Sequence, residues 1–169
     1  MFELKKISHA AVPGALAKAE RYRLLNEPEQ AESICRDVLA VAPDNESAAV
    51  TLLLALTDQF RVRSATGIRE AEEALGRIRE PYARAYYGAI IRERWALAIL
   101  ADGDPGHQAF EWLRDAMRGY EQAGAAAPSG NDDAILRWNA CARLIDSRGL
   151  HGESEPGPID AGDGAPHRR

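Results

Sequence analysis

The stretch "QAESICRDVLAVAPDN", residues 30–45, decides how the whole chain is read. Small and apolar residues recur along a helical pattern that stops at Pro43. Asp44 and Asn45 then stand ready to cap a following helix. Such a stretch is either one amphipathic helix or one half of a repeated unit, and the rest of the chain distinguishes the two.

The length of 169 residues suits one domain, and a hydrophobic fraction of 46% is enough to build its core. Ala, Leu, Glu and Arg are abundant, and all four favour helices, so an all-α fold is expected. The net charge of -5, with both signs mixed along the chain, argues against a nucleic-acid binder, which needs clustered Lys and Arg. No stretch approaches a membrane span. The start, "MFELKKISHAAVPGALAKAE", lacks the apolar core of a secretory signal. A cytoplasmic protein is expected. Cys35 and Cys141 each sit inside a helical pattern beside apolar residues, so they read as buried reduced thiols. No CxxC occurs to suggest zinc.

Seven helical segments follow from the breaks. They cover about residues 13–25, 29–41, 46–60, 68–79, 82–100, 107–125 and 132–147. Pro13 suits a first helical turn. The breaks are "NEP", "APDN", "RVRSATG" (a loop or loosened turn at 61–67), the stretch before Pro81, "ADGDPG" and "APSGN". No segment alternates strictly, so no sheet is expected. Residues 1–12 form a lead-in and 13–148 the helical domain. The tail, 149–169, is dominated by Gly, Pro and charge with Ile159 as its one aliphatic residue beyond Leu150. It cannot bury enough apolar area to offset its ordering entropy and is expected to be disordered.

Counted back from Pro43, Val38, Cys35 and Ala31 lie five, eight and twelve residues before it, and Tyr22 and Ala19 lie 21 and 24 before it. Ala116, Tyr120, Ala123 and Pro128 repeat the spacing of Ala31, Cys35, Val38 and Pro43. "YYGAII" supplies Gly88 and Ile91 at the first-helix positions of that later unit. Leu53, Leu56, Ala71, Leu75 and Ile78 make a looser middle unit. The physical demand is close packing, since helix axes about 8–10 Å apart require small side chains at the contact. Over residues 12–147 this grammar resembles the tetratricopeptide repeat, a helix-turn-helix of about 34 residues. The resemblance implies a right-handed superhelix of antiparallel helix pairs, an α-α solenoid of about seven helices. The quoted stretch is then the second helix of a repeat. A final helix must cover the apolar end of such a stack, and Ile135, Trp138, Cys141, Ala142 and Ile145 share a stripe that could do so.

No catalytic constellation is visible. His9, His107, His151 and His167 are scattered, none in HExxH, and neither GxSxG, a phosphate-binding glycine loop nor GxGxxG occurs. Asp132 and Asp133 could serve as acid and base, but acidic residues in a first helical turn with Asn131 as cap explain them structurally. No metal, cofactor, nucleic acid or membrane is expected. A non-catalytic scaffold for a peptide or partner protein is expected instead, with self-association through convex or terminal faces as the alternative.

In the family, the first helix of each pair lines a concave face that holds an extended peptide or a partner helix. With Gly88 setting the register, the resemblance directs Tyr82, Tyr86 and Arg92 to that face. Aromatic and Arg side chains are common interface anchors, although these could equally pack between helices and form ion pairs. Asp132, Asn139 and Arg143 share an i, i+7, i+11 stripe that either continues the groove or is a solvated face. Thr51 and Asp58 share a face of the third helix. The family subset that clamps a terminal carboxylate with Lys and Asn is not matched, because Leu16 and Glu20 stand at those places in the first unit.

Overall fold

The computed structural model describes residues 2–104 and 106–152, less the side chains of residues 63–65. Its regular structure is entirely helical among the described residues: a 3-10 turn His9–Ala11, then α1 (Val12–Leu24), α2 (Pro28–Val41), α3 (Glu46–Asp58), α4 (Phe60–Leu75), α5 (Pro81–Ala101), α6 (His107–Ala126) and α7 (Asp133–Arg148). The all-α expectation holds, and so do the breaks at Pro28, Pro43, Pro81 and "APSGN".

Local chemistry explains the boundaries. Pro28 and Pro81 open α2 and α5, where a missing N–H costs nothing. Asn45 caps α3 by accepting from the Ala48 N–H at 2.9 Å. Glu80 caps α5 by accepting from the N–H groups of Tyr82 and Ala83. Asp104 accepts from the N–H groups of Gly106 and Ala109 and so closes the start of α6. Gly149 ends α7 at φ 60°, a left-handed conformation that favours glycine.

The expected loop at 61–67 is instead helix. α4 starts at Phe60 and stops at Leu75, four residues before the expected end at Arg79. Tertiary packing overrides the weak helix propensity of "RVRSATG". Phe60 is buried edge-on against Trp95 of α5, with ring centroids 5.7 Å apart. Gly67 and Ala71 are buried on the same helix. Beyond α4, Ile78 is fully buried although it is not helical.

Each helix packs against the next along the chain, and α3 also touches both α1 and α5. The small residues singled out by spacing are at the contacts. Ala19, Ala31, Cys35, Val38, Ala116 and Ala123 are all fully buried, and Tyr120 is 1% exposed. One core is built from α1 to α5 and a second from α5 to α7, and Leu54 and Tyr87 border both. On α7 the inward residues are Ala134 and Cys141, with Trp138, Leu144 and Ile145 partly covered. Ile135, expected on the covering stripe, is 55% exposed, because the helix is turned so that its neighbour Ala134 meets α6. Residues 149–152 also belong to the packed body: Leu150 joins the second core and His151 stacks on His107. The rest of the expected tail, 153–169, lies outside the described residues.

Candidate functional site

α5 carries three of the expected site residues, Tyr82, Tyr86 and Arg92, and their spacing puts Arg92 on another face. Tyr82 and Tyr86 stack with centroids 5.6 Å apart, and Tyr86 meets Tyr87 edge-on and Tyr120 of α6 at a tilt. The Tyr82 hydroxyl donates to Asn131 Oδ1 at 3.3 Å, and the same oxygen accepts from the Asp133 N–H. Burial raises the pKa of both tyrosines above the usual phenol value. Arg92 lies about 120° around the helix from Tyr86. Its Nη1 donates to the Gly88 carbonyl at 2.8 Å, and it lines a different groove, beside Leu75 of α4 and Gly119 of α6.

The close contact of α5 also lies one residue away from the expected one. A Cβ on Gly119 would come within 2.9 Å of the Ala89 Cβ, so α5 and α6 approach at Ala89 rather than at Gly88. One residue is about 100° of helix rotation. That turn moves every side chain of α5 together, so the parting of Arg92 from the tyrosines comes from their spacing along the helix; Glu93 faces α6 and α7, and Arg94 faces α3.

Arg94 joins α5 to α3. Its Nη1 donates to Thr57 Oγ1 at 2.8 Å and pairs with Asp58. Arg23 of α1 pairs with the other oxygen of Asp58 at 2.9 Å. The row Arg23–Asp58–Arg94 therefore joins α1, α3 and α5 across one surface, each side chain about one quarter exposed. Tyr87 adjoins it. Burial raises the Tyr87 pKa, Tyr82 and Asp133 of α7 add to the rise, and Arg23 of α1 opposes it.

Comparison of the chain with family models, with curated proteins and with solved structures finds no match.

Behind the tyrosines, Glu93 is 6% exposed. Tyr120 donates to its Oε2, and Arg137 of α7 donates to Oε1 at 3.3 Å. Burial pushes the Tyr120 phenol far above its usual range, and the neighbouring Glu93 carboxylate adds to the shift. Burial alone would lower the Arg137 pKa, but Glu93 and the two tyrosines more than reverse this, so its charge is held. This network pins α7 to α5 and α6.

The remaining expected residues do not join the α5 cluster. Asp132 is exposed at the N-terminal boundary of α7 and makes no side-chain cap, a role that falls to Asn131. Asn139 is half-buried and Arg143 exposed further along α7. Cys35 and Cys141 are buried and unpaired with each other, and burial pushes each thiol up to about 12, so neither is a ready nucleophile. Among the described residues no group of three or more His, Cys, Asp or Glu is placed to hold a metal ion, and no helix is long and apolar enough to cross a membrane. The residues that sequence reading passed over are Arg23, Arg94, Glu93 and Arg137. Only the shared face of Thr51 and Asp58 hinted at the row across α1, α3 and α5.

Proposed function

We propose that the chain is a non-catalytic scaffold of the tetratricopeptide kind, whose concave face, made by α1, α3 and α5, holds a peptide or partner protein. The observation that carries this reading is the row Arg23–Asp58–Arg94. Two guanidinium groups share one carboxylate there, which leaves a positive charge for a ligand, and Tyr87 is near enough to feel the charge of Arg23. Arg and aromatic side chains anchor interfaces most often. Packing of each helix on the next, with further contacts from α3 to α1 and α5, supports stacking of helix pairs into a superhelix. Fold analogy suggests a binding role, and the charged row supports this face for it.

The test is affinity capture from native extract with the wild type, Arg23→Ala/Arg94→Ala and Arg69→Ala, the last as a control on exposed α4. A partner held by the wild type and the control but lost from the double variant is the expected result. Retention by all three would sink the assignment of this face.

Self-association is a second reading, favoured by the outer side of α7. Ile135 and Leu136 are 55% and 64% exposed there, next to a hollow of about 410 Å³ lined by Tyr120, Ala134, Ile135 and Trp138. It requires concentration-dependent sedimentation that Leu136→Glu abolishes. A single monomeric species at all concentrations removes it.

A further inference from the structure

A groove of about 640 Å³ lies between the end of α4, α5 and α6. Its floor is made of small residues, with Ala85 and Gly88 on α5 and Gly119 on α6. Its walls carry Arg84, Arg92 and Arg118 against one acid, Asp115. Arg118 is paired with Asp115. Arg84 and Arg92 each donate from Nη1 to a backbone carbonyl, those of Ile78 and Gly88, which leaves their charges unneutralised. Most of their N–H groups remain for a carboxylate, an acceptor that a guanidinium fork fits.

The described chain ends beside α6, one helical turn from this groove, and the sequence that follows is acidic. After α7, Leu150 N–H donates to the Ile145 carbonyl at 3.0 Å, and His107 Nδ1 lies 3.1 Å from the His151 carbonyl. Gly152, the last described residue, lies over Phe110 and Glu111 of α6. Glu111, Asp115, Arg118 and Gln122 follow at helical steps on one stripe of α6, and the last three line the groove. Gly152 therefore sits on the face of α6 that runs on into the groove wall. Residues 153–163, "ESEPGPIDAGD", carry Glu153, Glu155, Asp160 and Asp163 and no cation. From Glu111 to Gln122 is about 16 Å along the helix. The eight residues from Glu153 to Asp160 span up to about 26 Å when extended, which covers that distance.

We propose that residues 153–163 dock in this groove as an internal acidic ligand, with their carboxylates on Arg84, Arg92 and Arg118. The inference goes beyond the partner-binding reading, uses a different surface and does not depend on it.

The test uses the full chain with a spin label at Ala161→Cys. Labelling is selective because both native thiols are buried. Paramagnetic broadening is expected at the backbone amides of Gly88, Gly119 and Gln122 and not in α1 or α2. It is expected to vanish in Arg84→Ala/Arg118→Ala, and at about 1 M salt, where the Debye length is about 3 Å. Amides outside the groove report that the variant is still folded. Broadening spread evenly over the surface overturns the proposal. So does groove broadening that survives Glu153→Gln/Glu155→Gln/Asp160→Asn/Asp163→Asn, since tethering alone would then explain it. If the label stays remote while added tetraglutamate shifts the groove amides, the groove takes an external acidic segment, and the internal assignment is again overturned.

Discussion

Glu93 sits between α5, α6 and α7, where Tyr120 donates one hydrogen bond and Arg137 a second. A buried carboxylate is tolerable only with such partners, and losing one is costlier than the pair's net worth. Arg137→Ala strands Glu93 with Tyr120 alone. Because Arg137 keeps one third of its side chain in solvent, the loss is about 2 kcal/mol rather than the full cost of a deeply buried pair. Glu93→Gln keeps an acceptor for Tyr120 and should cost about 1 kcal/mol. Urea midpoints of the two variants check this, and equal losses would mean that stranding the Glu93 carboxylate carries no penalty beyond loss of the pair. In the sequence, Glu93 stands in "IIRERWALAIL" as one charge among several, and such residues are usually solvated. Its burial depends on partners 27 and 44 positions away, and no local pattern carries that. Asn131 was legible as the cap of α7 because capping is local chemistry.

At the scale of the element, the sequence shows that α5 must meet a neighbour through small residues but not which ones. "YYGAII" offers Gly88 and Ala89 side by side, and the choice rotates every other side chain of α5. The structure uses Ala89 against Gly119. A Cβ at Gly119 would meet the Ala89 Cβ at 2.9 Å and its Cα at 3.4 Å, atoms that cannot swing away. At Gly88 the nearest atoms are the ends of Arg92 and Leu75 at 3.3 Å, which can. Replacing a mid-helix glycine by alanine gains about 1 kcal/mol of helix propensity in both cases. Gly88→Ala should keep most of that gain. Gly119→Ala should lose it and about 1–2 kcal/mol more through overpacking. Thermal unfolding of the two variants decides the register, and the reverse order would restore Gly88 as the contact. The helical start of α4 has the same origin: "RVRSATG" has poor local propensity, and Phe60 packed on Trp95 outweighs it.

At the scale of the molecule, two cores share α5, and each holds one buried thiol: Cys35 lies in the first and Cys141 in the second. Burial raises each thiol from its ordinary 9.0 to about 12. Only the neutral thiol tolerates burial, so the folded pKa exceeds the unfolded one. The stability each contributes is present well below pH 9 and is lost as pH rises through 9 toward 12, on the order of 1 kcal/mol per pH unit for each thiol. Leu54 and Tyr87 border both cores, which should make the two halves unfold together. Urea unfolding should therefore be flat with pH up to about 9 and then weaken. Removing either thiol, Cys35→Ala or Cys141→Ala, should flatten that decline by the same amount. A thiol reagent added along the urea series should reach both cysteines of the wild type at one midpoint. If Cys141 reacts at lower urea than Cys35, α6 and α7 open on their own, and Leu54 and Tyr87 do not couple the two cores.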